Sequence, residues 1–446
     1  MSASFRLRDA APRVLRMLGA SGQLGFGMPL AALKAGLARR PHVIGADAGS
    51  IDIGPACLGS GTPSASEAML ERDLALLLEG AQSLGVPLLI GSAGGAGASP
   101  HLDHTLGLVR RIARQRGLRF RLAAVRADMP RALLHQAHAA GRIAPCGAMP
   151  ALSDVDIDAA THLVAQMGSE AFIRALETGA DVIIAGRACD TAIFDAVPVW
   201  LGFDHGLATH MAKIIECSSL ACEPGGRDAI MAELDEGGFV LESMNPDRRA
   251  TPLSVAAHAL YEQADPFVVA EPEGTLRLDQ ARYEALDDRR VRVSGSRFVA
   301  ASQPSVKAEG AARLGARALL VATTADPGFA AVLSDALGAV EQAVRGMVEA
   351  PFSVHPRLYP GPETVLLVDV IAPDAAVAMQ AARALRQQLL HYGFPGRRCT
   401  GGNLAFPLAP PELAAGEAWR WCVHHIVQVD ALAPLFPVEL EDIRTP

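Results

Sequence analysis

The chain has 446 residues, too many for one ordinary core and enough for two or three domains of roughly 100–200 residues each. Half of the residues are hydrophobic and 20% are charged, a balance that supports a large buried core and excludes a disordered chain. The net charge of -8, with Lys and Arg scattered, excludes the footprint of a nucleic-acid binder and disfavours an anionic membrane surface. Seven dispersed cysteines without a CxxC read as reduced thiols, not as a disulfide framework. No run approaches the ~18 apolar residues of a membrane span. The Arg-rich start SASFRLRDAAPRVLRMLGASGQ has no apolar stretch of signal length, so the expected location is cytoplasmic and no membrane partner is expected.

The first element in chain order, Val14-Leu-Arg-Met-Leu, makes a poor strand. The turn after it, Gly19-Ala-Ser-Gly-Gln-Leu-Gly-Phe-Gly, is either a tight turn needing positive φ or a loose dinucleotide loop that lacks GxGxxG. Residues 29–40 read as a helix and 42–46 as a strand that runs into Asp47-Ala-Gly-Ser-Ile-Asp52. Asp47 and Asp52, with Ser50 between them, suit acid–base work or a hard cation, and equally Asx-type turn bonds.

A helix over 67–84 precedes the apolar strand 87–91, and Ser92-Ala-Gly-Gly-Ala-Gly-Ala-Ser-Pro follows, leading into a helix over 104–115. Exposed N–H groups at Ser92, Gly94 and Gly95, ahead of a helix, would cradle a carboxylate or phosphate. His101 and His104 could be ligands or capping residues. A strand over 120–125, a helix over 129–140, a helix over 170–178 and the strand 181–186 continue the alternation that predicts a mostly parallel sheet flanked by helices. At the end of the last strand, Arg187 could fork a substrate carboxylate and Asp190 serve as base, or the two could form a structural pair. Lys213 and Glu216 stand one helical turn apart, and Cys217 has no sequence neighbour to activate it.

After about residue 238 the pattern changes to polar, turn-rich sequence with a helix over 251–263 and a strand over 290–296. A new cycle of strand to 323, helix 327–348, strand 365–371, helix 374–391 and strand 419–427 predicts a ferredoxin-like β-α-β-α-β lobe, with 350–363 as a connection. The expected domains are therefore 1–245, an α/β domain with glycine-rich strand-end loops, and 246–446, a second α/β lobe.

The motifs GADAGSIDIGPACLGSG, LLIGSAGGAGASPHLDHTL, VAQMG, ADVIIAGRACDTAIF, AKIIEC, NPDRRATPLSVAAHALYE and RVRVSGSRF together resemble the acyclic terpene utilisation (AtuA-like) family. The closer resemblance is to its shorter branch, which lacks an extra C-terminal ferredoxin-like module. It implies bacterial catabolism of a small carboxylic acid or its CoA thioester, with the missing module either supplied by a small ferredoxin-like partner subunit or dispensable; a homo-oligomer is also expected. Asp47, Ser50, Asp52, Gly94, Gly95, His101, Arg187, Asp190 and Glu216 match the resemblance, with Arg248, Arg249, His258 and Lys307 as weaker candidates. Some relatives carry His where Lys213 stands.

These readings lead to a hydratase/dehydratase-type lyase. Asp47, Asp52, Asp190 and Glu216 are its catalytic carboxyls; Ser50, Ser92, Gly94, Gly95, His101, Arg187, Lys213, Arg249 and Lys307 bind the substrate. An isomerase, an acyl transferase or a non-catalytic binding subunit are the alternatives. The cofactor is open: Asp47, Asp52, His101, Asp190 and Glu216 could hold Mg²⁺, Mn²⁺ or Fe²⁺.

Overall fold

Five short and almost wholly apolar runs lie side by side in the order Leu15–Ser21, Val43–Asp47, Leu88–Gly91, Val182–Ala185 and Phe120–Val125, all parallel. This computed structural model describes residues 2–49, 53–261, 263–398 and 400–444. The five runs are buried on both faces, as helix-covered parallel strands must be. One of them corrects the sequence reading: Leu15–Ser21 is a central strand despite Arg16. That side chain reaches the strand's start, where Nε and Nη2 donate to the Arg40 carbonyl, and the apolar residues around it stay buried.

The whole ten-stranded sheet is mixed, not mostly parallel. Ile230–Asp235 adds antiparallel to Leu15–Ser21, followed outward by Gly238–Ser243, Val291–Ser294 and Arg282–Ala285. On the opposite edge Val438–Ile443 adds antiparallel to Phe120–Val125. The physical reason is connection length. The parallel pairs come from stretches with a helix between strands, whereas Ile230–Asp235 with Gly238–Ser243 and Arg282–Ala285 with Val291–Ser294 are joined by short turns that can only reverse the chain.

By contacts the chain divides into Met1–Ala311 with Trp421–Pro446, and Ala312–Arg420, a division different from the expected boundary at residue 245. In the second unit the element order is β-α-β-β-α-β, that of a split β-α-β layer. Helices Pro327–Arg345 and Ala375–Leu390 put Phe329, Leu333, Leu385 and Leu389 into a core with Leu320, Leu366 and Val368. Its extra strand, Ser353–Tyr359, occupies the stretch expected to be a connection. It is the edge strand of its sheet, where a proline such as Pro356 is tolerated. Among the described residues no helix is long and apolar enough to cross a membrane.

Candidate functional site

Parallel strands open a crevice beyond their carboxyl ends, and three adjacent strands here end in polar turns. A cavity of about 680 Å³ lies within the first unit, and Asp47, Arg187, Asp190, Lys213, Glu216 and Lys307 line it. Asp47 ends its strand buried, with the Gly49 N–H donating to its Oδ1 at 3.2 Å. Arg187 and Asp190 follow the Val182–Ala185 strand. Lys213 belongs to the buried helix His205–Ile215, and Glu216 is its C-cap. Lys307 comes from the strand Ser305–Thr324.

Arg187 is only 4% exposed, yet its charge is matched. Nε donates to Glu309 Oε2 at 2.8 Å and Nη2 to Oε1 at 3.4 Å, while Nη1 donates to Ser92 Oγ at 3.2 Å. Lys307 Nζ lies 3.2 Å from the same carboxylate. Burial pushes Glu309 up, but the Arg187 and Lys307 charges outweigh it and leave it at about 2. The fork that could have gripped a substrate carboxylate is thus already filled.

The glycine-rich loop after Gly91 serves this pair. Gly97 (φ +68) accepts the Arg187 N–H at 3.1 Å, and a Cβ there would stand 2.1 Å from that nitrogen. Ser92, held at φ +51, accepts from the Ala188 N–H at 3.2 Å as well as from Arg187. Gly94 packs on His101 and Gly95 on Ser64, and neither lines the cavity. The earlier glycine-rich turn is also occupied from within: the N–H groups of Gly25, Gly27 and Met28 donate to the buried Asp73 carboxylate at 3.1–3.2 Å. A protein carboxylate therefore takes the N–H groups that a dinucleotide loop would offer to phosphate.

The part of the lining around Lys213 is short of positive charge. Lys213 Nζ contacts Glu216 Oε1 at 2.7 Å and stands 4.9 Å from the centre of the Tyr261 ring. The Glu216 carboxyl is also hydrogen-bonded to Asp190. Burial, then the Asp190 charge, push Glu216 well above the carboxylate range, and Lys213 only partly offsets them. Its place at a helix C-terminus adds to the cost of ionising it. Asp47 is raised in the same way, by burial first and Asp190 second, against Arg187 and the Gly49 and Ala48 N–H groups. Burial likewise pushes the Cys217 thiol up, away from a thiolate.

The family model described as acyclic terpene utilisation family protein AtuA matches residues 70–359, well over half of the chain. The chain belongs to the AtuA family. Comparison with curated proteins found no match, and comparison with solved structures found none either. The AtuA match holds Arg187, Asp190, Lys213, Glu216 and Glu309, whereas Asp47 precedes it.

Of the site residues expected for an AtuA-like chain, Asp47, Arg187, Asp190, Lys213, Glu216 and Lys307 come together on the one cavity. Ser50 and Asp52 lie outside the described residues. Ser92, Gly94 and Gly95 do not line the cavity, and Ser92 supports it from behind through Arg187. His101 is fully buried elsewhere, Nε2 donating to the Cys57 carbonyl at 3.0 Å, and burial lowers its pKa. Arg249 is exposed, 3.5 Å from Glu223, and does not line the cavity either. Among the described residues no group of three His, Cys, Asp or Glu is arranged to hold a metal ion.

Sequence reasoning missed Glu309, Glu271, Tyr261 and Arg227. Glu309 was findable, since residues two apart on a strand share a face and Lys307 had been singled out. Glu271 lines the cavity beside Thr191, whose hydroxyl donates to it at 2.8 Å. Tyr261 lies in the stretch read as a helix over 251–263, just past the helix Pro252–Ala259 that forms, and Arg227 stands in a turn with no periodicity to mark it.

Proposed function

We propose that the cavity is a general acid–base site of acyclic terpene catabolism that removes or adds water next to the carbonyl of a carboxylic acid or its CoA thioester. The observation that carries this reading is the contact between the Asp190 and Glu216 carboxyls beside a single ammonium, Lys213. Two carboxyls and one cation are neutral only with one added proton, so an acid and a base stand ready together.

In the dehydration direction, Asp190 takes the α-proton of a 3-hydroxyacyl group. The carbon–oxygen bond breaks with its electron pair on oxygen, Glu216 gives that oxygen its proton, and water leaves as the double bond forms. The pair ends with the same number of protons. One transfer from Asp190 to Glu216, already in contact, resets it. Lys213 and Lys307 supply positive charge for the enolate-like oxygen. The wall selects no particular acyl chain, so the substrate class rests on family membership. Should protein purified without chelator carry close to one Mg²⁺, Mn²⁺ or Fe²⁺ per chain, the acid's role would pass to the metal.

The test is Asp190→Asn, assayed with but-2-enoyl-CoA, 3-methylbut-2-enoyl-CoA and the free acids by loss of enoyl absorbance. Asn keeps the shape, so turnover should fall about 10²–10⁴-fold with the melting temperature nearly unchanged. Full activity in the variant would sink the acid–base assignment. Exchange of α-protons with D₂O without loss of enoyl absorbance would redirect it to isomerisation.

A further inference from the structure

Four cations line the cavity, and they are not equivalent. Arg187 and Lys307 share Glu309, and Lys213 has Glu216. Arg227 differs: Nη1 donates to the Phe26 carbonyl at 3.2 Å, and among the described residues no carboxylate lies within ion-pair distance of it. Arginine has five N–H donors in a planar fork, so most of this one's capacity is unspent.

Its place in the cavity is also distinct. Arg227 meets the turn that follows the Leu15–Ser21 strand, where Gly22 and Gln23 line the wall. Arg187 follows the Val182–Ala185 strand, three strand spacings away across the sheet. At about 4.8 Å per spacing, the two turns are roughly 14 Å apart. The carboxyl-bearing residues Asp47, Asp190 and Glu216 line the same cavity. A volume of about 680 Å³ is on the scale of an extended ligand, since drug-sized molecules fill about 300–1,000 Å³. The N–H groups beside Arg227 are spent on Asp73, which leaves the guanidinium as the anion-binding group at that end.

We propose that Arg227 anchors an anionic oxygen group, carboxylate or phosphate, carried by the substrate at the end remote from Arg187 and Lys307. The inference rests on the cavity being the substrate site. A phosphate would come from the nucleotide part of a thioester, a carboxylate from a dicarboxylic acid. Both suit the planar fork.

The experiment is calorimetric titration of the wild type, Arg227→Gln and Arg227→Lys with coenzyme A, glutarate and butyrate. Arg227 is exposed, so both variants should fold as the wild type does, checked by equal melting temperatures. Coenzyme A or glutarate should bind the wild type and bind Arg227→Gln at least tenfold more weakly, with Arg227→Lys between them and butyrate unaffected. Loss of coenzyme A binding alone assigns phosphate; loss of glutarate binding alone assigns a second carboxylate. Equal affinities in wild type and Arg227→Gln, or no binding of either probe by the wild type, overturn the proposal. Asp190→Asn separates the two ideas, because it should lose turnover while keeping the Arg227-dependent binding.

Discussion

Two walls of one cavity use the same residue types with opposite results. Glu309 meets two cations, Arg187 and Lys307, and is held ionised at about 2. Around Lys213, two carboxyls contact each other beside one cation, and Glu216 is pushed well above its ordinary value. Glu309 and Glu216 are both buried, so burial alone does not decide the outcome. The ratio of cations to carboxyls does. A matched pair is a fixture of the fold, while a surplus carboxyl holds a mobile proton.

The largest expected effect comes from unmatching the matched wall. Glu309→Ala leaves Arg187 charged and 4% exposed, with Asp47 and Asp190 only partly able to compensate. Removing one partner of such a pair costs about 3–5 kcal/mol, so chemical denaturation should show a loss of about 3 kcal/mol or more. A loss under about 1 kcal/mol would mean that water or Asp47 takes over, and the contrast between the walls would fail.

On the other wall the expected effect is on chemistry more than on stability. Lys213→Met keeps length and removes the charge that partly holds Glu216 down. The variant should fold, lose about 10²-fold or more in turnover, and carry the alkaline limb of its pH–rate profile to higher pH. The sign follows from the charges: without the ammonium, Glu216 releases its proton less readily, so the acid form survives further into base. A limb that stays put would assign the titration to another group.

How much of this was legible in the sequence follows the same division between local and non-local cause. The helix Glu67–Leu84 and the strand Phe120–Val125 lie where periodicity put them, because their burial pattern is written in their own residues. The strand-end positions of Asp47 and Asp190 were legible too, since each follows an apolar run. The filled fork of Arg187 was not. Its partner, Glu309, is 122 residues away, and nothing in either segment declares the pairing. The same holds for Asp73, which reaches the Gly25–Met28 turn from a helix 45–48 residues on and turns an apparent phosphate loop into a closed structure. The spacing of His101 and His104 left open a ligand or a capping role for His101; its burial against the Cys57 carbonyl is a tertiary fact.

A third buried carboxyl extends the series to one with no cation among its partners in the described residues. Ser169 and Thr209 hydroxyls contact Asp195 at 2.7 and 2.9 Å, and burial raises it to about 7. A raised folded-state value means the fold binds this proton more tightly than the unfolded chain does. Its contribution is therefore fully present below about pH 4 and is lost as pH rises through about 7. Between those limits stability should fall by up to about 1.4 kcal/mol per pH unit, and Asp195→Asn should flatten that part of the curve. Denaturation midpoints at pH 5, 6, 7 and 8 for both proteins decide it. An identical slope in the variant would place the titration in other groups, Glu271 first among them.

The smallest expected effect belongs to Arg249, and it checks the comparison from outside. Arg248 and Arg249 are sequence neighbours in one motif, but their surroundings differ. Arg248 donates Nη1 to the Pro224 and Gly225 carbonyls at 2.7 and 2.8 Å and pairs with Asp228. Arg249 faces solvent, 3.5 Å from Glu223, and both side chains of that pair are well exposed. Exposed pairs contribute about 0–1 kcal/mol, because water screens the attraction and two long side chains lose freedom. Arg249→Ala should therefore change stability by no more than about 0.5 kcal/mol and leave turnover and coenzyme A binding as they are. Arg248→Ala, which strands two carbonyls and the Asp228 carboxylate, should cost measurably more in denaturation. A tenfold loss of binding or turnover in Arg249→Ala would show that the site reaches past the cavity wall, and the cation count on which the two walls were compared would have to include it.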